Sequence, residues 1–504
     1  HTFGGFNHQF YEKLFELILR LKGNYLWPAM WGHAFYDDDP ENGLLANKMG
    51  IIMGTSHHEP MGRAHAEWKK YGSGAWDYES NPSGLNLFWE RGLQRMKNWE
   101  KVVTIGMRGD GDEPMSEQHN IRLLEKIVKQ QRALISRVSH KDASETPQIW
   151  ALYKEVQSYY DKGMRVPDDV TLLLCDDNWG NVRKLPSVEQ RDRKGGYGMY
   201  YHFDYVGGPR SYKWLNVTQI QRVWEQMNLS YIHGVERLWI VNVGDLKPME
   251  YPITFFLDMA WNPQRFNASN LIDHTVEFCR QQFGDGYAEE SARLMDQYCK
   301  YNSRITPELL DWNTYSLTNY NEFATVVQDY RQLLLDALRI FYLLPIEYRD
   351  AFDQLILFPI QASANLYELY YAVARNHQAA QLQSAQCNEW ADKARACYKR
   401  DSMLMHHYNN VIANGKWQHM MDQIHIGYTG WQQPDRQQIP LLFELDSDSI
   451  PNINSEKQLL FVENDGAVSI EGIHYSNCKQ SENMRWIVIP NLGKTHSAIT
   501  LLPI

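Results

Sequence analysis

Short apolar runs of strand length recur through the first half of the chain, and acidic, aromatic or imidazole side chains directly follow most of them. We predict seven buried strands, at residues 24–31, 50–55, 102–107, 148–153, 171–175, 197–203 and 237–241. Amphipathic helical stretches separate the strands, and this alternation is typical of a parallel sheet covered by helices. Polar groups gathered at one end of the strands are typical of the catalytic face of a barrel. The pattern therefore predicts an α/β fold, a (β/α)8 TIM barrel with its active site on that face.

A helix comes before the first predicted strand. Apolar residues recur at helical spacing through residues 8–22, and Gly23 is placed to end that helix. The segment 253–259 fits either an eighth strand or a helix that opens near Pro252, and we favour the helix. We therefore expect the first strand of the barrel to lie upstream of His1.

The pattern changes near residue 263. From 263 to 425, turn-forming residues become scarce, and long stretches with a 3.6-residue period predict a helical bundle. Beyond residue 425, Gly, Pro, Asn and Ser return with short β-like runs such as 459–462 and 486–489. We therefore expect a catalytic barrel at 1–262, a helical bundle domain at 263–425 and the start of a β-sandwich domain at 426–504.

Composition excludes some classes of function. The formal net charge of −11 argues against nucleic acid as a partner, because a phosphate backbone requires a basic surface. No apolar run approaches the ~18 residues of a membrane span. Of the 17 Trp and 30 Tyr, we assign most to the core. The remainder lie beside acids and glycines at strand ends, where they suit stacking against sugar rings.

Two carboxyl groups are the best candidates for cleavage of a glycosidic bond, which requires one protonated and one ionised carboxyl group. Glu155 follows a predicted strand near Trp150 and Tyr153, with Lys154 directed to the other side. A carboxyl group against aromatic surface resists ionisation, which suits a general acid. Asp112 lies in a loop whose glycines allow close approach to a ligand. The alternatives are a solvated helix face for Glu155 and a calcium loop for Asp112, although full EF-hand spacing is absent.

Other polar residues at strand ends suit substrate binding. Arg108 can bind a carboxylate through the fork of its guanidinium. Strand alternation places Tyr200, His202 and Asp204 on one face, either for contact with a sugar or for core packing. Asn242 can donate and accept hydrogen bonds at once, as a sugar diol requires.

The adjacent histidines His57 and His58 raise the question of a metal. On a strand end they would point to opposite faces, and no HxH or HExxH spacing is present, so hydrogen bonding is the better interpretation. Two alternative functions remain open from the residues. One is a metal-dependent barrel hydrolase that uses His57, Asp112 and Asp176, and the other is a non-catalytic carbohydrate-binding protein on the same scaffold.

Five long motifs occur in order along the first half of the chain. They are Tyr25-Leu-Trp-Pro-Ala-Met, His57-His-Glu-Pro-Met, Gly106-Met-Arg-Gly-Asp-Gly-Asp-Glu-Pro-Met, Leu174-Cys-Asp-Asp-Asn-Trp-Gly-Asn and Gly198-Met-Tyr-Tyr-His-Phe-Asp-Tyr-Val-Gly-Gly-Pro. Together they resemble glycoside hydrolase family 115, the xylan α-1,2-glucuronidases.

The resemblance implies an inverting enzyme that removes α-1,2-linked (4-O-methyl-)glucuronic acid from xylan side chains without a metal or other cofactor. It implies Glu155 as the general acid, and Asp112 as the base or the residue that positions water. The residues that match family pocket positions are Arg108, Tyr200, His202, Tyr205 and Asn242, and we add Trp27, His57 and Tyr153 as candidates for substrate binding.

We expect glucuronoxylan or its oligosaccharides as the substrate. Exposed aromatic stretches in the helical domain would suit a homodimer, although packing in the core of the bundle explains them equally well. An enzyme for this substrate is expected to be secreted, periplasmic or at the surface of a bacterial cell.

Overall fold

The computed structural model describes residues 2–115, 120–446, 463–464, 467–468, 470–482, 484–489 and 498–503. The chain forms two compact units. Unit 1 comprises His1–Tyr205, Ile220–Gly244 and Glu250–Ser269, and unit 2 comprises Val206–Gln219, Asp245–Met249 and Asn270–Ile504. Two segments from within the sequence of the predicted barrel, 206–219 and 245–249, therefore group with unit 2.

The described residues of unit 1 contain seven parallel strands at the predicted positions, although the first three are each only two residues long. They are β1 (Tyr25–Leu26), β2 (Ile52–Met53), β3 (Val103–Thr104), β4 (Gln148–Ala151), β5 (Thr171–Cys175), β6 (Tyr197–His202) and β7 (Leu238–Asn242). Strands β3 to β7 form one five-stranded sheet in chain order, and β1 pairs with β2. A parallel bridge between Met53 and Lys101 connects the pair to the larger sheet.

The sheet is strongly curved. Inward side chains of β4 to β7, among them Ala151, Cys175 and Ile240, form one cluster, and Trp27 from the end of β1 packs against it. The rings of Trp27 and Tyr200, from β6, lie 5.0 Å apart. In a flat sheet the five intervening spacings of ~4.8 Å would hold these strands about 24 Å apart. The fold is therefore mixed α/β with a parallel half-barrel sheet.

Helices flank the strands of unit 1 along the chain. They are α1 (His8–Arg20), α2 (Phe35–Asp38), α3 (Glu41–Met49), α4 (Ala66–Tyr71), α5 (Pro82–Arg95), α6 (Asn120–Ser139), α7 (Glu155–Asp161), α8 (Ile220–Ile232) and α9 (Glu250–Trp261). The helices predicted at 8–22 and 253–259 are confirmed as α1 and α9. Asn7 caps α1 by accepting a hydrogen bond from the backbone N–H of Phe10 at 3.2 Å.

Unit 2 is dominated by helices. They are α10 (Leu271–Phe283), α11 (Ala288–Asn302), α12 (Glu322–Leu343), α13 (Ile346–Phe352), α14 (Phe358–Gln381) and α15 (Gln386–Asn410), with a π-helical turn at Asp353–Leu357 between α13 and α14. Helix α14 is buried along most of its length because it packs against both α12 and α15. The segment 206–219 joins this core through Trp214, whose ring stacks on that of His425 with centroids 3.5 Å apart.

Short antiparallel strands follow the helices. They are β8 (Glu463–Asn464), β9 (Ala467–Val468), β10 (Met484–Ile489) and β11 (Ala498–Pro503). Strand β8 pairs with β9, and β10 pairs with β11. The β-like run predicted at 459–462 lies outside the described residues.

Candidate active site

The residues predicted for the site lie at or just beyond the carboxyl ends of the strands of unit 1. Arg108 follows β3, and Glu155 begins α7 shortly after β4. Tyr200 and His202 lie in β6, and Asn242 ends β7. Because these strands are parallel, their carboxyl ends lie on the same rim of the sheet.

Arg108 joins the two carboxyl groups that the sequence predicted to be catalytic. Its side chain is 3% exposed, and it donates from Nε to Oε1 of Glu155 at 3.0 Å and from Nη2 to Oε2 at 2.8 Å. Its Nη1 donates to Oδ1 of Asp112. The sequence prediction placed Glu155 against aromatic surface, whereas the structure places a guanidinium on both of its oxygens. Trp76 fixes the loop by donating from Nε1 to the Arg108 carbonyl at 3.0 Å.

The carboxylate of Asp112 has two further neighbours. His57 Nε2 lies 3.1 Å from Oδ1, and Lys154 Nζ lies 3.8 Å from Oδ2. Burial, followed by the positive charges of Arg108 and Lys154, holds the pKa of His57 well below its usual range, so the ring is neutral. A carboxylate accepts, so the ring proton lies on Nε2, and the hydroxyl of Ser56 donates to Nδ1 at 3.0 Å.

The direction of Lys154 corrects the sequence prediction, which pointed it away from the site. Strand β4 ends at Ala151 and α7 begins at Glu155, so strand alternation does not extend to residue 154. Its backbone has φ 50° and ψ −123°, the conformation of the first central residue of a type II′ turn, which glycine normally occupies. A lysine there stores roughly 1–3 kcal/mol of strain, which the surrounding structure must offset.

A wall of aromatic rings lies beside the carboxyl groups. Ring centroids are 4.4 Å apart for His57 and Tyr153, 4.4 Å for Tyr200 and His202, and 6.0 Å for Tyr153 and His202. Trp27 extends the wall, 5.0 Å from Tyr200. Burial raises the pKa of both tyrosines, so their hydroxyls stay protonated, and the hydroxyl of Tyr200 can donate to a ligand. Rings with polar tips suit a sugar, which presents both C–H faces and hydroxyls.

The wall is supported by a buried carboxylate. Asp176, which is almost completely buried, accepts from His202 Nδ1 at 2.6 Å and from the backbone N–H groups of His202 and Gly180. These bonds fix the orientation of the imidazole ring. The hydroxyl of Tyr153 donates to Oδ1 of Asn178 at 2.9 Å. The rings are therefore positioned before any ligand arrives.

The two remaining predicted residues, Tyr205 and Asn242, lie at the part of the rim formed by the ends of β6 and β7. The ring of Tyr205 lies 6.2 Å from that of His202. Asn242 donates from Nδ2 to the carbonyl of Asp204 at 3.3 Å and accepts from the N–H of Gly244 at 3.3 Å. Asn242 thus bridges the loops that follow the two strands.

The site contains a group of potential metal ligands. The donor atoms of His57, His58 and Asp112 lie within 4.8 Å of one another. Both ring nitrogens of His58 are buried, with no hydrogen-bond partner among the described residues. The prediction that these histidines point to opposite faces is wrong, because β2 ends at Met53 and both lie in the turn beyond it. Since Oδ1 of Asp112 also accepts from Arg108, a cation there would compete with a guanidinium.

Lys154 and Asp176 have contacts in this site that the sequence analysis did not assign to them. The signal for Asp176 lies in the register of β5 and β6. Cys175 pairs with Tyr200, so Asp176, the residue after β5, approaches the end of β6, where His202 lies. No comparable sequence signal exists for Lys154, because the direction of its side chain follows from a strained turn.

The family model described as "Glycosyl hydrolase family 115" matches residues 1–309. The model of the "Glycosyl hydrolase family 115 C-terminal domain" matches residues 460–504. Because the first match covers more than half of the chain, the chain belongs to glycosyl hydrolase family 115. The resemblance seen in the sequence motifs is thereby confirmed.

A solved structure similar to this chain is described as "a novel family GH115 4-O-Methyl-alpha-glucuronidase, BtGH115A, with specificity for decorated arabinogalactans". The two are 30% identical, with a TM-score of 0.76. The alignment covers 86% of this chain and 59% of that one, so the chain spans less than two thirds of its neighbour. No curated protein matches the chain. Within the described residues, no helix combines the length and apolarity that crossing a bilayer requires.

Proposed function

We propose that the protein is an inverting α-glucuronidase that removes α-1,2-linked (4-O-methyl-)glucuronic acid from the side chains of xylan. Membership of family 115 and the activity named for the similar solved structure support the reaction class. The observation that carries the proposal is the position of Arg108, whose guanidinium joins Glu155 to Asp112 on one rim of the sheet. A cation between two carboxylates suits a substrate that is itself a carboxylate.

Arg108 is the proposed receptor for the uronate carboxylate. A chain with a net charge of −11 repels an anionic sugar unless a cation dominates within the ~8–10 Å over which charges remain visible in salt. The guanidinium fork matches a carboxylate in two parallel hydrogen bonds, and in the free enzyme Glu155 occupies that fork. The uronate carboxylate would take the place of Glu155, with Lys154 as a second nearby cation.

Displacement from Arg108 would prepare Glu155 for its role. A general acid must carry a proton when the leaving oxygen departs, and a carboxylate held by a guanidinium is acting as an acceptor. Once the uronate holds the fork, Glu155 can take up a proton and donate it to the glycosidic oxygen. Substrate binding and activation of the acid would then be one event.

Asp112 is the proposed base. The neutral His57 ring donates to its carboxylate and keeps it oriented as an acceptor for the proton of the attacking water. Inversion requires roughly 6.5–9.5 Å between the two carboxyl groups, so that a water molecule fits. Arg108 donates to Glu155 through Nε and Nη2 and to Asp112 through Nη1, so its guanidinium lies between the two carboxyl groups.

Digestion of two polysaccharides, followed by analysis of the released sugar, tests the proposal. Proton NMR of a glucuronoxylan digest should show free (4-O-methyl-)glucuronic acid that appears first as the β-anomer, because attack from the opposite face inverts an α-linkage. Initial release of the α-anomer would rule out inversion. Release of uronic acid from a decorated arabinogalactan, with none from glucuronoxylan, would overturn xylan as the substrate and leave the reaction class standing.

A metal-dependent hydrolase is a second candidate, and the grouping of His57, His58 and Asp112 is the observation that favours it. In that case exhaustive chelation should abolish turnover, and added Zn²⁺ or Mn²⁺ should restore it. Under the proposed two-carboxylate mechanism, turnover is unchanged after chelation. A non-catalytic carbohydrate-binding protein, the third possibility, would release no uronic acid from any of these substrates.

We further propose that the parallel strands belong to a complete (β/α)8 barrel. The helical region at 263–425 would form its own domain, and residues 426–504 would begin a β-sandwich. The enzyme would be a homodimer that acts outside the cytoplasm. The continuous curvature of the sheet supports the barrel, and the match of residues 460–504 to a separate C-terminal family model supports the last domain. Sedimentation velocity of the purified protein tests the dimer.

A further inference from the structure

We propose that a cavity within unit 2 is a second carbohydrate site, which binds an uncharged stretch of polysaccharide chain. The cavity has a volume of about 780 Å³, within the range of sites for small organic ligands. The end of α14 forms one side, and the segment from Gly427 to Leu445 forms another. All of its lining residues lie in unit 2, whereas the proposed catalytic residues lie in unit 1.

Aromatic rings form a surface on which a sugar can stack. Trp312 is 39% exposed, and its ring centroid lies 4.6 Å from that of His377. His377 in turn lies 5.0 Å from the ring of Phe443, which is also partly exposed. A row of rings with one open indole is what the C–H face of a pyranose ring requires.

Polar groups around the rings can both donate and accept hydrogen bonds. The hydroxyl of Tyr428 is buried, and it has no hydrogen-bond partner among the described residues although its side chain lines the cavity. A buried hydroxyl without a partner costs roughly 1–3 kcal/mol, which a ligand hydroxyl would recover. Gln381 and Gln438 add exposed amides, and Asp311 adds a carboxylate. Amide and carboxylate side chains are suited to pairs of sugar hydroxyls.

The charge of the lining selects against anions. None of the described residues that line the cavity is a lysine or an arginine, whereas Asp311 and Glu444 are acidic. Glu444 forms an ion pair with Arg395, whereas Asp311 forms no ion pair among the described residues. The imidazole Nε2 of His377 donates to the carbonyl of Leu441 at 2.8 Å. The cavity therefore favours a neutral ligand rich in hydroxyl groups over a phosphate or a uronate.

The wall formed by residues 441–445 is held in place by two reciprocal amide contacts. Asn376 donates from Nδ2 to the carbonyl of Phe443 and accepts from its N–H, each at 2.9 Å. Asn388 makes the same pair of bonds with Leu445, at 2.8 and 2.9 Å. Asn376 lies in α14 and Asn388 lies in α15, so the segment is anchored to two long helices. Preorganisation of this kind lowers the entropic cost of binding a flexible sugar chain.

The second site rests on the proposed function only for its biological role. That role is to hold a neutral stretch of the polymer that carries the uronic acid. Binding itself is independent of catalysis. It is tested by isothermal titration calorimetry with xylohexaose and with an uncharged galactan oligosaccharide, neither of which carries a uronic acid for the enzyme to remove. An oligogalacturonate serves as the anionic comparison.

We expect the wild type to bind at least one neutral oligosaccharide, and the oligogalacturonate more weakly. Trp312→Ala should weaken that binding at least about 10-fold, since loss of a central aromatic contact costs 1.4 kcal/mol or more. Tyr428→Phe, which removes one hydroxyl and keeps the ring, should weaken it to a smaller extent. Trp261→Ala is the matched control, because Trp261 is 70% exposed in unit 1 and contributes nothing to the cavity. Equal affinity in wild type and Trp312→Ala, or no binding of either neutral sugar, overturns the proposal.

Kinetics separate the two proposals. Trp312→Ala should raise KM on polymeric substrate several-fold and leave kcat/KM on a short uronic-acid trisaccharide unchanged. An equal loss of kcat/KM on both substrates would contradict a role in holding the polymer. A protein that binds neutral oligosaccharides through Trp312 but cleaves neither substrate would overturn the proposed function and leave the second site standing.

Discussion

Arg108 holds Glu155 in a two-point ion pair, although the two residues lie 47 positions apart in the sequence and follow different strands. In this pair, the cation that an anionic sugar would need is already bound. The carboxyl group that would protonate the leaving oxygen is bound as well. The same guanidinium also reaches Asp112. In the free site, the positive charge of Arg108 is therefore already paired with two carboxylates. A substrate carboxylate is the group best suited to displace one of them.

Glu155→Gln should lower kcat on glucuronoxylan at least ~100-fold, because the amide cannot donate the proton that the leaving oxygen requires. An α-glucuronosyl fluoride, whose leaving group needs little protonation, should lose far less. Initial-rate measurements on both substrates, with circular dichroism to check the fold, test this prediction. Near-normal turnover of the polymer by the variant would exclude Glu155 as the acid.

Arg108→Lys should raise KM for the uronic substrate about 10–100-fold, because lysine keeps the charge and loses the two-point fork, a difference of roughly 1.5–3 kcal/mol. Arg132→Lys is the matched control, because Arg132 forms a similar two-point pair with Asp169 at 2.7 and 3.0 Å, outside the rim. The control should lose some thermal stability and keep its KM. If the two variants showed the same change in KM, Arg108 would have no particular role in binding the uronate.

Asp112→Ala should reduce turnover at least ~100-fold because the attacking water loses its base. The truncation also leaves space beside His57, where a small anion can enter. Added azide should then restore part of the rate and yield a β-glucuronosyl azide, which NMR identifies. Rescue with the α-configuration would contradict inversion. His57→Gln keeps one donor toward Asp112 and should retain more activity than Asp112→Ala.

Glu59 should make stability depend on pH. Its buried carboxyl group accepts from the N–H of His65 at 3.0 Å, and burial raises its pKa to about 8 from the usual 4.5. Between these values the folded state binds more protons than the unfolded state, so the free energy of unfolding falls as pH rises from about 4.5 to 8. Glu59→Gln keeps an acceptor for His65 and removes the titration.

Urea unfolding at pH 5 and pH 8 measures the effect. The wild type should lose on the order of a few kcal/mol more than Glu59→Gln between the two pH values. His407→Gln is a useful comparison, because the hydrogen bond that His407 donates to the Asp353 carboxylate raises the pKa of His407 and stabilises the fold at low pH through a different pair. Equal pH dependence in the wild type and in Glu59→Gln would show that Glu59 does not titrate in this range.

Much of the fold follows from local sequence pattern. The runs that became β4 to β7 are apolar and bounded by polar groups, and the periodicity of residues 8–22 became α1. The predictions that failed concern positions just beyond a strand. His57 and His58 lie in a turn four and five residues after β2, and Lys154 lies in a strained turn between β4 and α7. Strand alternation is a property of extended backbone, so it cannot assign the direction of a side chain once the chain has turned.

The sequence by itself determined the order of the strands and helices, the rim on which the polar residues gather, and the family, because each of these is written in periodicity and in contiguous motifs. Only the tertiary structure decided that Arg108 lies between Glu155 and Asp112, and that His57 donates to Asp112 across 55 residues of chain. Contacts between loops depend on how far the sheet curves and where each strand ends. Those quantities are set by the packing of the whole unit, and no short segment of sequence contains them.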